Sequence, residues 1–171
     1  NTREEIIKDL KKKITEKEKE INSYQGKENY YKGKLLEYVF IEYLRNNKFK
    51  QHNYGLKDLV NNYQKGAKLT DYQEVKSHTF NLEGSNDRQI DIWSHSYTEG
   101  QDLFFEIKNW NKKVDQNTVN KFLTKVKDLR SINIDGYFIY YAINGFTDSA
   151  EELLENYNIM YSDWEKWQID V

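Results

Sequence analysis

The chain opens with a charged segment whose apolar residues recur at heptad spacing. Over residues 3–29 this spacing predicts an α-helix with a narrow apolar seam. The seam positions are Ile7, Leu10, Ile14, Lys17, Ile21 and Tyr24. Gly26 predicts a break after this helix. We therefore expect two parts, a helix at residues 1–29 and a main domain at 30–171.

Three roles stay open for the first helix. It is a connector from an upstream domain, a short coiled coil that forms a homodimer, or a helix packed on the main domain. We favour the connector, because about two heptads rarely hold a dimer alone.

A second predicted helix, at residues 30–49, carries a broader apolar stripe. Its members are Leu35, Leu36, Val39, Phe40, Tyr43 and Leu44. A stripe of this width indicates a helix that packs on a core. Glu37 lies on the flank of the stripe, where its side chain can reach a neighbouring sheet. Residues 45–55 then predict a helix end and a short strand, and residues 56–80 a helix and a loop.

Two segments of alternating polarity, "RQIDIWSHSY" and "DLFFEIKNW", flank "TEGQ" and predict a hairpin. With Glu99 and Gly100 as the turn, Asp91 lies opposite Lys108 and Trp93 opposite Glu106. One face of the hairpin is then apolar and consists of Ile90, Ile92, Leu103, Phe105 and Ile107. The other face gathers Asp91, Glu106 and Lys108.

The remaining segments alternate between helix and strand. In the helix "VDQNTVNKFLTKVKDLRS" we expect an apolar inner face and exposed lysines at 121, 125 and 127. The inner face consists of Val119, Phe122, Leu123, Val126 and Leu129. A buried strand at 136–143, a helix with a capping box at Asp148 and Glu151, and a short strand at 159–167 follow. This order predicts an α/β sandwich around a mixed sheet.

Composition narrows the functional classes. The chain has 171 residues, 32% of them charged and 15% aromatic, and it has no cysteine. A disulfide framework and a thiolate metal site are therefore excluded, and no GxxxxGK phosphate loop is present. The histidines at 52, 78 and 95 lack metal-ligand spacing and are interpreted as surface or turn residues. No apolar run approaches the roughly 20 residues that cross a bilayer, and no signal peptide is visible, so we expect a cytoplasmic protein without a membrane partner.

Charge is unevenly distributed although the net charge is only -2. Residues 101–130 carry seven Lys or Arg against four acids, and residues 145–171 carry seven acids and one lysine. A local basic stripe can contact a phosphate backbone on a protein of any net charge. On charge alone, two ordinary solvated helices are the favoured interpretation. The candidate nucleic-acid contacts are Lys112, Lys113, Lys121 and Lys125.

The polar face of the hairpin has the composition of a reaction centre. Two carboxylates about 4 Å apart repel by roughly 4 kcal/mol at an effective dielectric near 20. A cation must offset this repulsion, and Lys108 or a hard divalent ion would do so. Mg²⁺ is commonly held by one or two carboxylates with waters and phosphate oxygens, and it can polarise a phosphoryl oxygen. A solvated strand face remains the alternative.

These residues resemble the PD-(D/E)XK nuclease superfamily. Asp91, fourteen intervening residues and "EIK" at 106–108 match its core motif, and "GKLLE" at 33–37 matches the Gly-x-x-x-Glu of its first helix. The "GFT…A" turn at 145–150 is most similar to the Mrr-like restriction endonucleases, and the whole more loosely to archaeal Holliday-junction resolvases. The resemblance spans Gly33 to Tyr161, except residues 55–80, which resemble an insertion. Ile90 replaces the motif's proline, and many Mrr-like enzymes carry Gln at the position of Glu106.

The resemblance implies a restriction-endonuclease-like α/β/α sandwich with an N-terminal helical extension. It also implies a metal-dependent endonuclease that hydrolyses phosphodiester bonds, in DNA, by attack of a metal-activated water. An inactive module of the same fold that binds nucleic acid or a protein partner is the alternative.

Site roles follow from the same resemblance. Asp91, Glu106 and the backbone carbonyl of Ile107 would bind Mg²⁺, for which Mn²⁺ would substitute. Lys108 would assist the attacking water. Glu37 would bind the metal directly or through water, and Gln116 corresponds to a position that often carries a polar residue near the site.

Overall fold

The computed structural model describes residues 2–51, 55–82 and 87–169. Four helices and five strands are described in this part of the chain, together with a 3-10 turn at Lys48–Gln51. The helices are α1 (Thr2–Arg45), α2 (Leu56–Leu59), α3 (Gln116–Ser131) and α4 (Asp148–Asn156). The strands are β1 (Glu74–Phe80), β2 (Arg88–Ser96), β3 (Gln101–Lys108), β4 (Tyr137–Ala142) and β5 (Met160–Ser162).

The five strands form one mixed sheet in the order β1-β2-β3-β4-β5. β1, β2 and β3 pair antiparallel, whereas β3, β4 and β5 pair parallel. The sheet centre, β3, is buried on both faces, because Phe105 packs in one core cluster and Phe104 in the other. The prediction of a mixed sheet is confirmed.

Helices cover both faces of this sheet. The last part of α1 packs Leu36, Phe40 and Leu44 on one face, together with Trp167 from the C-terminal segment. On the other face, α3 and α4 pack against β3, β4 and β5 through a second cluster. The α/β/α sandwich is therefore confirmed, and Trp167 belongs to its core. No helix in the described ranges is long and apolar enough to cross a membrane.

A single helix of 44 residues replaces the two that the sequence predicts at the N-terminus. Gly26 lies in its exposed part, where nothing lies within 4 Å of an added Cβ. A glycine inside a helix costs only about 1 kcal/mol relative to alanine, and its neighbours Gln25, Lys27 and Glu28 are good helix formers. The predicted break is wrong, and the functional division at residue 29 stays a prediction.

The hairpin register differs from the prediction by two residues. Ile92 pairs with Phe105 and Ser96 with Gln101, so the loop has four residues rather than two. The loop ends at Gly100, whose φ of +63° suits glycine. A slip of two preserves the face of most side chains, and the same register sets Asp91, not Lys108, level with Glu106.

A β-bulge interrupts β2 beside the candidate site. Lys76 pairs with Trp93, but His78 pairs with Ile90, so two residues of β2 oppose one residue of β1. The extra residue reverses the alternation of side chains. Ile90 therefore packs with Phe104 in the second cluster rather than with the first, which corrects its predicted face.

The region between α1 and β2 also departs from the prediction. The expected short strand is replaced at its start by the 3-10 turn Lys48–Gln51, and His52 lies outside the described residues. Residues 56–80 contain the four-residue α2, a loop and the edge strand β1. The sequence did not predict β1 as a strand, because this segment is mostly polar and only Val75 is buried. It is part of the sheet rather than of an insertion.

Two details of the later helices differ as well. In α3, Val119, Phe122, Val126 and Leu129 are buried as predicted, while Leu123 is half-buried. The α4 N-cap is Thr147, whose hydroxyl accepts a hydrogen bond from the Ala150 N–H at 3.3 Å, so the predicted cap at Asp148 is one residue late.

Candidate active site

Side chains from α1, β2 and β3 meet at the end of β3. They line a cleft of about 180 Å³. Its polar lining includes Lys34, Glu37, Asp91, Lys108 and Asn109. The sequence-predicted residues of the reaction centre are thus brought together, and β2 and β3 set them in place through the register and the bulge.

Asp91 is fixed by the backbone of the neighbouring strand. The Ile107 N–H donates a hydrogen bond to Asp91 Oδ2 at 2.8 Å. The bulge leaves Asp91 at the point where the β2–β3 ladder ends, so its side chain can turn towards the end of β3. Asp91 therefore faces Glu106 from the adjacent strand.

Burial and carboxylate crowding dominate the electrostatics of the cleft. Glu106 is only 4% exposed, and burial, followed by the proximity of Asp91, raises its pKa. Burial and then Asp91 also raise the pKa of Glu37, although Lys34, 3.3 Å from Glu37 Oε2, acts in the opposite sense. Burial and the nearby Asp91 thus both disfavour the ionised forms of Glu37 and Glu106.

Two lysines compensate the buried Glu106. Lys125 Nζ lies 3.0 Å from Glu106 Oε2, and Lys108 Nζ lies 3.9 Å from Glu106 Oε1. Both cations oppose the rise in the pKa of Glu106. Each carboxylate oxygen thus has its own ammonium partner.

Lys125 is the residue whose position the sequence analysis missed. It was expected to be exposed, but its side chain is 23% exposed and reaches from α3 to the end of β3. A signal was available, since Lys125 follows Phe122 by three residues and precedes Leu129 by four. Both of these neighbours face the sheet, and residues at such spacings share a helix face.

Hydrogen bonds hold the end of β3 and the segment that follows it, residues 108–111, on both sides of the cleft. The Asn109 amide donates to the Lys32 carbonyl of α1 at 3.1 Å, and Lys32 Nζ donates to Asn111 Oδ1 at 3.0 Å. On the other side, the Ile143 N–H donates to the Lys108 carbonyl at 3.0 Å. The Lys108 Nζ lies 5.4 Å from the centroid of the Trp110 ring. These contacts limit the directions in which the Lys108 amine can point.

The structure places the other predicted residues outside this cluster. Gln116 is exposed at the start of α3, and no described contact joins it to Asp91, Glu106 or Lys108. Lys112, Lys113 and Lys121 are exposed.

The two described histidines lie apart from the cleft. His95 pairs with Asp102 near the hairpin loop, at the other end of β3. His78, on the edge strand, packs against Phe80 and Trp93.

The donor set suits a hard cation only if solvent or substrate completes it. Among the described residues, no three acidic or histidine side chains are arranged to hold a metal ion by themselves. Mg²⁺ commonly takes one or two carboxylates and fills its other positions with waters and phosphate oxygens. Asp91 and Glu106 fit that role, because they are adjacent oxygen donors whose mutual repulsion a cation would relieve.

Comparison with known proteins places the chain in a family. It matches no curated protein. A sequence model described as restriction endonuclease, for the Mrr catalytic domain, matches residues 36–167. The chain belongs to this restriction endonuclease family. The matched range includes Glu37, Asp91, Glu106, Lys108 and Lys125, and the resemblance drawn from the sequence is confirmed.

Three solved structures are similar to part of this member of the restriction endonuclease family. A protein of unknown function, AF1548, is 13% identical over 55% of this chain and 52% of that chain, with a TM-score of 0.45. A repair endonuclease from Pyrococcus abyssi is 19% identical over 54% and 40%, with a TM-score of 0.39. EndoMS in complex with double-stranded DNA is 18% identical over 56% and 38%, with a TM-score of 0.40. The match covers about half or less of each of these proteins.

Proposed function

We propose that this chain is a metal-dependent endonuclease that hydrolyses phosphodiester bonds in DNA by attack of a metal-activated water. The observation that carries the proposal is the adjacency of Asp91 and Glu106 at the end of β3, with Lys108 Nζ 3.9 Å from Glu106. Membership of a restriction endonuclease family supports the reaction class.

Asp91 and Glu106 would hold Mg²⁺ or Mn²⁺, with the Ile107 carbonyl as a third donor and Glu37 acting directly or through water. A divalent ion bound there supplies a polarised phosphoryl oxygen and a bound water of lowered pKa. The Ile107 N–H keeps Asp91 oriented. Lys125 helps to keep Glu106 ionised, and therefore able to act as a ligand, in an environment that otherwise favours its protonation.

Lys108 would act on the reacting groups themselves. Its amine stands next to Glu106 and above Trp110, where it can donate a hydrogen bond to the attacking water or to a non-bridging phosphate oxygen. Stabilisation of charge that develops in the transition state contributes about 10² to 10³ in rate for one such donor. Gln116 stays a weaker candidate, for a contact made only with DNA bound.

DNA would reach the cleft along the exposed lysines of the segment after β3 and of α3. Lys112, Lys113 and Lys121 are free to contact phosphates, which fix the position of a protein on DNA without reading its sequence.

The test is cleavage of supercoiled, linear and single-stranded DNA with Mg²⁺, Mn²⁺ or EDTA. We expect metal-dependent cleavage that Lys108→Ala lowers at least about 100-fold. Lys57→Ala, which changes an exposed lysine on α2, is the matched control and should cleave like the wild type. Wild-type cleavage by Lys108→Ala would refute the assignment.

Metal binding separates the enzyme from an inactive binding module. Calorimetric titration with Mn²⁺ should show a site in the wild type that Asp91→Asn weakens at least about tenfold, since Asn removes a charged ligand. A wild-type chain that binds DNA but takes up no metal at millimolar concentration would indicate the binding module instead.

A further inference from the structure

α1 carries an exposed apolar face. Ten of its large hydrophobic side chains are exposed, and eight of these lie along one line of the helix. Isolated exposed apolar residues are ordinary, whereas a contiguous line of them marks an interaction surface.

The line is a heptad pattern that continues through Gly26. We call it the α1 seam. Its a positions are Ile7, Ile14, Ile21, Glu28 and Leu35, and its d positions are Leu10, Lys17, Tyr24, Tyr31 and Tyr38. The seam runs for roughly five heptads, more than the three to four that indicate a coiled coil. Because the helix does not break at Gly26, the pattern has five a/d pairs rather than the three that precede the predicted break.

The α1 seam does not pack against the described part of the main domain. Its apolar members are between 44% and 67% exposed. The residues of α1 that bury themselves against the sheet, Leu36, Phe40, Tyr43 and Leu44, occupy b, c and f positions on the other side of the helix. One helix thus presents one face to the sheet and another to solvent.

We infer that the α1 seam pairs with the same seam of a second copy of this chain, in an antiparallel coiled coil. The two polar seam residues choose the orientation. A parallel pair in register would set Lys17 against the partner's Lys17 and Glu28 against the partner's Glu28. An antiparallel pair whose residue numbers sum to 45 instead sets Lys17 against the partner's Glu28.

In the same antiparallel register, each of the remaining layers pairs an apolar residue with an apolar residue of the partner. Ile7 meets the partner's Tyr38, Leu10 meets Leu35, Ile14 meets Tyr31, and Ile21 meets Tyr24. Four apolar layers and one ion-pair layer are therefore repeated about the two-fold axis. A symmetric dimer with such a self-complementary patch is the commonest kind of oligomer.

Charges beside the seam are mixed. Glu20 lies opposite the partner's Lys27 in this register, which is attractive. Lys13 lies opposite the partner's Lys34, and Lys11 opposite the partner's Lys32, which is unfavourable. Within the chain, however, Lys13 already pairs with Asp9 and Lys34 with Glu37, each at 3.3 Å. Exposed like charges of this kind contribute little compared with the seam.

The geometry keeps the two catalytic clefts apart. At 1.5 Å per residue the seam spans about 47 Å. Glu37 of one chain lies level with position 8 of the other, so the two Glu37 residues are about 44 Å apart along the axis. The two clefts thus lie near opposite ends of the paired seams, and the inference does not rest on the proposed function.

Sedimentation equilibrium of the whole chain tests the inference. We expect a dimer at micromolar concentration. Lys17→Glu and Glu28→Lys should each weaken dimerisation at least tenfold, and the double variant should recover to within about threefold, because the ion pair is restored in reverse. Lys19→Glu makes the same charge change at an exposed f position and should not alter the dissociation constant. Circular dichroism confirms that each variant keeps its helix.

Cross-linking tests the orientation, which is practical because the chain has no cysteine. A mixture of Ile14→Cys and Tyr31→Cys chains should form a disulfide-linked heterodimer, and Ile14→Cys alone should not cross-link. A chain that stays monomeric at about 100 µM, a double variant as weak as the single ones, or efficient cross-linking of Ile14→Cys alone would overturn the inference.

Discussion

The ion pair between Lys125 and Glu106 gives a quantitative test of the electrostatics of the cleft. At 3.0 Å and an effective dielectric near 20, the attraction is about 5 to 6 kcal/mol before desolvation is counted. Lys125 is partly solvated, whereas Glu106 is almost fully buried. Breaking a fully buried pair costs about 3–5 kcal/mol, and breaking an exposed pair costs at most about 1 kcal/mol. We therefore expect Lys125→Met to destabilise the metal-free protein by about 2 kcal/mol when Glu106 is ionised.

The destabilisation caused by Lys125→Met should depend on pH. The folded-state pKa of Glu106 lies above its unfolded value, so Glu106 takes up a proton as the pH falls and the pair then loses its attraction. Removal of Lys125 raises this pKa further. The destabilisation should therefore be more than half of its full size at about pH 9 and close to zero at about pH 6. For a chain of this length, 2 kcal/mol corresponds to about 4–8 °C in Tm.

Urea denaturation at both pH values measures the effect, with Lys127→Met on the exposed face of α3 as the matched control. A double-mutant cycle with Glu106→Gln isolates the pair and should give a coupling of about 1 kcal/mol at the higher pH. Equal losses at the two pH values, a coupling near zero, or a Lys127→Met variant as unstable as Lys125→Met would each contradict this account.

Other perturbations test the core, a close backbone contact, the pH response and the DNA surface. Phe40→Ala should cost about 3–5 kcal/mol in urea denaturation, since Phe40 is fully buried. Gly136→Ala should cost about 1–3 kcal/mol in the same measurement, because an added Cβ would lie 2.7 Å from the Asp102 carbonyl. As pH rises through the raised pKa of Glu106, the urea midpoint of the metal-free wild type should fall more than that of Glu106→Gln. Lys121→Ala should weaken DNA binding at all sequences and lower the slope of log affinity against log salt by about 1, measured by fluorescence anisotropy.

The sheet and the proximity of Asp91, Glu106 and Lys108 could be predicted because their signal has period two. The alternation in β2 and β3 brought Asp91, Glu106 and Lys108 to one place even with the register wrong by two residues, because such a slip preserves faces. The bulge at Asp91 and Ile92 could not be predicted, since it depends on pairing with β1. That edge strand is polar and has few buried residues, so its own pattern did not reveal it.

Two errors came from giving one residue too much weight. Gly26 predicted a helix end, although a glycine inside a helix costs only about 1 kcal/mol and its neighbours Gln25 and Lys27 are good helix formers. Lys125 was grouped with the surface lysines by its charge, although its spacing from Phe122 and Leu129 places it on the flank that faces the sheet. A buried acid such as Glu106 attracts the nearest long cation, and that preference is visible only when the tertiary structure is known.

Because α1 is unbroken, the angle about its axis between the exposed seam and the face that bears Glu37 is fixed. Each residue turns a helix by about 100°, so inserting one residue near Gly26 would swing the N-terminal seam to a different side of the protein without disturbing the sheet. An insertion of seven residues would nearly restore the phase, with an error of about 20°. Length changes in this part of related chains should therefore come in numbers close to a whole count of helical turns, such as about 7 or 11 residues.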